Sequence, residues 1–260
     1  MSDAELAAAL AAEAGRLLVS LRSSGEATGK QLGDEGDRRA NDLILGRLRD
    51  ERPHDAVLSE ESADSSARLD ANRVWIIDPL DGTREYVIPG RTDWAVHIAL
   101  WERGREIAAA AVAQPAIGVV RRSDQPMPSV GGRATGPIRI VVSDSRPPSF
   151  VDAVAARLDA VVSPMGSAGA KAMAVVDATF DAYVHAGGQW EWDSAAPVGV
   201  ALASGLSAVR LDGSPLRYNQ PHPYLPDFVI CRSDLVAEIL AAIHAVDPAY
   251  SAHSRSKPLD

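Results

Sequence analysis

Val74-Trp75-Ile76-Ile77-Asp78-Pro79-Leu80-Asp81-Gly82-Thr83 is the stretch from which the rest of the chain is read. Four large apolar residues predict a buried strand, and Asp78 stands where that strand reaches a sheet edge, the usual place for a site. Pro79 fixes the backbone there and Gly82 permits a tight turn. Two acids three residues apart can then face one space, with the Leu80 carbonyl between them. Hard divalent cations favour such an oxygen-only environment, and Mg²⁺ keeps several waters of its own. A helix beginning after Gly82 would offer free N–H groups to a phosphate. The plainer alternative is a strand-to-turn junction with two exposed acids. At average composition, the five specified residues of Asp-Pro-x-Asp-Gly-Thr arise by chance about once in a million starts.

Two further acidic segments could join the first. Glu60-Glu61 follows the short apolar run Ala56-Val57-Leu58, although an exposed Glu pair is usually surface. Asp193, in Trp192-Asp193-Ser194-Ala195-Ala196, precedes a run of small residues and could simply cap that helix.

Composition narrows the class. The 260 residues are 46% hydrophobic, enough for a sizeable core in one or two domains, and the formal net charge is −9. That charge argues against nucleic-acid polymers, which need clustered bases, but permits an anionic small molecule if cations reverse the local sign. The one cysteine, Cys231, excludes an internal disulfide and a thiolate-cluster metal site, and its apolar neighbours predict a buried thiol. No apolar run approaches the roughly 18 residues that span a bilayer. Acids near Met1 do not suit a signal peptide, so a cytoplasmic location is expected.

Along the chain, Ser2 and Glu5 fit a capping box for a first helix whose inward face carries Leu6, Leu10, Leu17 and Leu21. A polar loop through Gly29, Gly33 and Gly36 is expected next. A second helix follows over Arg38 to Arg49, with Leu43, Leu45 and Leu48 inward or near it. Trp94 to Trp101 and Ile107 to Ala113 read as antiparallel strands. Residues 122–137, rich in Pro, Gly and Ser, read as a surface loop and a boundary between an α+β domain (1–137) and an α/β domain (138–260). Beyond it, strands at Ile138–Val142, Val161–Val162, Ala182–Val184 and Val229–Ile230 alternate with helices at Ser149–Leu158, Ala170–Val176 and Ser194–Ser204.

Ser59-Glu60-Glu61, then Trp75 to Thr83, then Trp192 to Ala196 occur in the order and rough spacing of the inositol monophosphatase superfamily, and the resemblance covers nearly the whole chain. It implies a layered αβαβα sandwich. It also implies two or three Mg²⁺ held by Glu60, Asp78, the Leu80 carbonyl, Asp81 and Asp193. Asp37, just ahead of the expected second helix, falls where the family has an upstream acid. Bonded to Asp37, Thr83 would orient and deprotonate the water that attacks phosphorus in line, without a phosphoenzyme. Inhibition by lithium and a possible homodimer also follow from the resemblance.

Thr83-Arg84-Glu85-Tyr86, Trp94 to Leu100 and Gly187 to Asp193 are most similar to bacterial 3′-phosphoadenosine 5′-phosphate (PAP) phosphatases of the CysQ type, actinobacterial members in particular. This implies removal of the 3′-phosphate of PAP, giving AMP, in sulfate assimilation. Substrate contacts would come from Gly82, Thr83, Ser167, Lys171 and His185. Gly166-Ser167-Ala168-Gly169-Ala170-Lys171 departs from the family's Gly-Ser-x-x-Lys by one residue, and His185 stands near where the family often has an arginine. Inositol phosphate and fructose 1,6-bisphosphate are the alternative substrates. A haloacid-dehalogenase phosphatase would carry its two acids two residues apart near the N-terminus, not three apart as here. A metal- and nucleotide-binding sensor without catalysis is the alternative from another class.

Overall fold

The computed structural model describes residues 1–128 and 136–251. Three separate hydrophobic clusters divide it into five layers. The first lies between helices α1 (Asp3–Ser24) and α2 (Gly29–Glu51) and a five-stranded sheet. That sheet has the order β1-β2-β3-β4-β5 and comprises β1 (Ala56–Ser59), β2 (Arg73–Asp81), β3 (Ala95–Glu102), β4 (Glu106–Gln114) and β5 (Val119–Arg122). The second cluster joins the opposite face of this sheet to α5 (Ala168–Val176), α6 (Glu191–Ala203) and a second sheet. The second sheet has the order β7-β6-β8-β10-β9: β6 (Ile138–Ser143), β7 (Ala160–Met165), β8 (Ala182–Trp190), β9 (Ser207–Val209) and β10 (Tyr224–Cys231). The third lies under α4 (Val151–Leu158) and α7 (Val236–Val246) and contains Cys231. The result is the αβαβα sandwich.

The capping box of Ser2 and Glu5 forms, and of the adjacent pair Leu17 and Leu18 in α1 it is Leu18 that faces inward, with Leu17 half-buried. The expected glycine loop is instead the first half of α2, which runs unbroken from Gly29 to Glu51. Gly33 and Gly36 are there for close approach. A Cβ on Gly33 would meet Thr83 Cγ2 at 2.8 Å, and one on Gly36 would meet Leu80 and Tyr86 at 3.0 Å. The helix therefore lies directly on the turn that carries the acids.

The strand ending at Asp78 in the sequence reading continues to Asp81. Its register against β3 shifts between these two residues, and that bulge turns both carboxylates toward one side. The helix after Gly82 is a single turn, α3 (Thr83–Tyr86). The expected loop 122–137 falls partly on residues 129–135, outside the described residues, while Arg122 itself closes β5. The chain changes sheets between Arg122 and Ile138, yet α5 and α6 pack on both sheets. A domain boundary near residue 137 is thus a proposal in which the two halves share their middle layer.

Candidate active site

Parallel pairing of β1 with β2 sets Ser59 beside Ile77, and the Glu60 N–H donates to the Ile77 carbonyl at 3.2 Å. Glu60 thereby arrives next to Asp78 at the common carboxyl end of two strands. From the other half of the chain, α6 brings Asp193 in its first turn. Oxygens of Asp78, Asp81 and Asp193 all lie within 4.8 Å of one another. Asp193 also accepts from the Trp190 N–H at 2.6 Å, so it caps its helix and faces the cluster at once.

Each acid answers to a different environment. Burial first, then the neighbouring carboxylates Glu60 and Asp81, push Asp78 well above the usual range. Glu60 keeps one side in solvent, but partial burial of its carboxyl and the charges of Asp193 and Asp37 raise it to about 8. Burial and Asp81 raise Asp193 to about 6. Asp81 goes the other way. Burial alone would raise it, but His97, the Ser167 hydroxyl and the Lys171 ammonium hold it far below the ordinary value.

Asp81 owes that difference to the second half of the chain and to β3. Its carboxylate accepts from the Ser167 hydroxyl, from the Ala168 N–H at 3.0 Å and from the Gly169 N–H at 2.7 Å, at the start of α5. His97 Nε2 lies 3.2 Å from the same carboxylate. Two glycines allow this approach. A Cβ on Gly169 would sit 2.1 Å from His97 Nε2, and one on Gly166 would sit 2.4 Å from Glu85 Cγ. Gly82 itself has φ +85°, with Ser167 Cβ 3.1 Å from where its Cβ would be.

The structure also places three residues expected to contact the substrate. The Ser167 hydroxyl, at a residue with φ +51°, is held between Asp81 and the Ala170 N–H. Lys171 is not a surface lysine. Its buried ammonium donates to the carbonyls of Ser167 at 2.6 Å, Gly166 at 3.1 Å and Met165 at 3.4 Å, and burial lowers it to about 8. Both residues shape the surroundings of Asp81. His185 packs on Phe228 and Tyr183 with ring centroids 5.5 Å and 6.4 Å away, and burial lowers it to about 4. At neutral pH it is an uncharged ring inside the aromatic layer of the second sheet.

Asp37 lies inside α2 rather than ahead of it. Its Oδ2 accepts from Thr83 Oγ1 at 3.4 Å, and Thr83 Oγ1 also donates to the Leu80 carbonyl at 3.1 Å. Asp37 Oδ1 is buried without a hydrogen-bond partner among the described residues, and burial together with the charge of Glu61 raises the carboxyl to about 7. His97 is the site residue the sequence reading did not assign. It is fully buried, and its Nδ1 lies 3.2 Å from the Trp192 carbonyl and 3.9 Å from Asp78. The available signal was one imidazole in the otherwise apolar run from Trp94 to Trp101.

This electrostatic balance has a measurable consequence in cation-free protein. Asp37, Glu60, Asp78 and Asp193 hold protons in the folded state at pH values where the unfolded chain has lost them. The folded state binds more protons, so stability falls as pH rises through the window from about 4 to about 8. Thermal melts in chelator should show Tm declining from about pH 5 to about pH 8, with a divalent cation restoring more at the upper end. A flat or rising Tm across that range would show that the acids are not strained together.

Comparison with known proteins gives a consistent picture. The sequence profile of the inositol monophosphatase family matches residues 3–246. A Mycobacterium leprae protein named 3′-phosphoadenosine 5′-phosphate phosphatase is 56% identical over 257 residues, 95% of each chain. The Escherichia coli 3′(2′),5′-bisphosphate nucleotidase CysQ is 30% identical over 203 residues, covering 73% of this chain and 80% of that protein. The crystal structure of inositol monophosphatase II from Staphylococcus aureus superposes with a TM-score of 0.80 at 20% identity, over 96% of this chain and 98% of that one, a likeness of fold.

Proposed function

This chain belongs to the inositol monophosphatase family, and on that footing we propose that it is a Mg²⁺-dependent phosphomonoesterase that removes the 3′-phosphate of PAP, giving AMP. The observation that carries the proposal is the meeting of Asp78, Asp81 and Asp193 within 4.8 Å, with Thr83 beside them bonded to Asp37. The choice of PAP is supported by the naming of the M. leprae relative.

The residues fit a hard cation. Their donors are oxygens, and burial and mutual repulsion raise Glu60, Asp78 and Asp193 above the usual carboxylate range, a cost that a positive charge among them would offset. Glu60, Asp78, the Leu80 carbonyl, Asp81 and Asp193 would hold the ions. Bound Mg²⁺ supplies positive charge to the phosphoryl oxygens and makes water more acidic.

The chain's own residues do the rest. Thr83 has one hydroxyl proton and two acceptors, Leu80 O at 3.1 Å and Asp37 Oδ2 at 3.4 Å. Turned to Asp37, that proton frees the Leu80 carbonyl and leaves a Thr83 lone pair facing the attacking water; as the water gives a proton to Thr83, Thr83 passes its own to the Asp37 carboxylate, so the hydroxyl is restored. The buried Asp37 carboxyl then holds the proton away from solvent. The αL turn at Gly82 keeps Thr83 at that point. Gly82 and Thr83 therefore enter the proposal as the part of the site nearest the substrate phosphate.

No helix among the described residues is long and apolar enough to cross a membrane. A cytoplasmic location and a homodimer complete the proposal and rest on family membership.

The test is phosphate release from PAP, inositol 1-phosphate and fructose 1,6-bisphosphate, compared by kcat/KM with Mg²⁺ and with excess chelator. PAP should be preferred, and chelator should abolish turnover. Full activity in chelator removes the cation, and preference for another ester removes PAP.

A further inference from the structure

The carboxylate cluster sees a phosphate and cannot by itself tell one leaving group from another. Selectivity requires a surface beside it. Trp190, the last residue of β8, has its backbone N–H on Asp193 at 2.6 Å, while its side chain is 41% exposed. Large aromatic rings bury readily, so an exposed one next to a polar cluster calls for a reason. Trp190 does not stand alone. It stacks on half-buried Trp192 with centroids 5.4 Å apart at 14°, and on exposed His222 at 5.7 Å and 28°. Tyr224, 45% exposed, meets it edge-on at 5.7 Å. Trp190 and Tyr224 are the exposed large aromatic side chains among the described residues, and they are cross-strand partners.

The group is held in place. Gly188 has φ +92°, and a Cβ there would lie 2.1 Å from the Tyr224 hydroxyl, so the tyrosine ring lies directly on the β8 backbone. The segment that carries His222 is tied to the start of α6. The Glu191 N–H donates to the Pro223 carbonyl at 2.9 Å, and the buried Glu191 carboxylate accepts from the N–H groups of Asn219 at 2.6 Å and Gln220 at 2.8 Å. Buried Arg68 braces the same segment through the Asn219 side chain at 2.7 Å and the Gln220 carbonyl at 2.9 Å. A flat, rigid, partly solvated aromatic surface anchored to Asp193 is suited to a planar π-face.

We infer that Trp190 and His222, edged by Tyr224, form the stacking platform for the purine base of the substrate. The inference rests on the proposed nucleotide substrate and adds where its base lies. The phosphate sits over the cluster, the ribose spans the rim at Asp193, and the base lies against the rings. Esters without a base forgo that contact.

The experiment measures KM and kcat for PAP, and inhibition of PAP turnover by AMP and by inorganic phosphate, for the wild type, W190A and W190F. Stacking on one aromatic ring is worth roughly ten- to a hundredfold in affinity. W190A should raise KM for PAP and Ki for AMP by about that factor, more than it lowers kcat. The Ki of phosphate should move by less than about twofold, since it touches only the cluster. W190F, which keeps a ring, should retain most of the AMP affinity. If W190A shifts AMP and phosphate together, or neither, the platform is wrong. Should the wild type release no phosphate from PAP, the proposed substrate falls, and direct binding of AMP against phosphate, compared between wild type and W190A, still decides whether the rings bind a purine.

Discussion

Asp193→Asn should lower kcat/KM for PAP by about 10³-fold or more while the protein stays folded. Asp193 is the one member of the carboxylate cluster contributed by the second half of the chain, so its loss opens one whole side of the proposed cation site. The helix itself should persist, because an asparagine oxygen can still accept from the Trp190 N–H that Asp193 now holds. Removing its charge relieves one of the repulsions that push Glu60 and Asp78 upward. Without cations, the D193N variant should therefore melt no lower than wild type, although it binds Mg²⁺ more weakly. Circular dichroism, thermal melts in chelator and Mg²⁺ titration by calorimetry separate these effects. Near-normal kcat would show that the cations are held elsewhere.

Asp37→Asn and Thr83→Ala should each lower kcat by about 10²–10⁴, the size of a general-base contribution, with little change in Mg²⁺ affinity. Thr83 alone is a poor base, and among the described residues its hydroxyl is bonded to Asp37 and the Leu80 carbonyl. Because the two residues act through one proton, the double variant should be hardly slower than either single. If the two losses multiply, or if Asp37→Asn mainly weakens Mg²⁺ binding, Asp37 belongs with the cation ligands. Its half-open bonding makes the test sharp, since Asp37 Oδ1 has no partner among the described residues whose loss could imitate a catalytic effect.

Much of this site was legible in order along the chain because its acids sit where strands end. Val74 to Ile77 is too apolar to be anything but a buried strand, so Asp78 must emerge at its edge, and Gly82 must turn the chain within four residues. The same reasoning located Glu60 after β1 and Asp193 at α6. It also predicted the buried Cys231 and the capping box of α1. These are local consequences of burial, chain direction and end-capping, and they need no knowledge of what packs opposite.

The helix over Gly29 to Arg38 was not legible. Glycine lowers helix propensity, and only the Thr83 and Leu80 side chains pressed against Gly33 and Gly36 explain why small residues stand there. Strands β5 and β9 were too short to announce themselves, and α7 has no sharp end signals. The roles of Ser167, Lys171 and His97 depend on a different kind of fact. Their chemistry suits a ligand in solution equally well, and nothing in their spacing says that the start of α5 closes on Asp81. What the sequence by itself determined was which carboxylates reach the ends of which elements. What only the tertiary structure decided was which of them stays ionised. That depends on the partners supplied across the interface between the two sheets, because in a buried site a carboxylate's charge is set by its neighbours, and those of Asp81 come from β3 and from α5, whose hydrogen-bond donors lie up to 88 residues away.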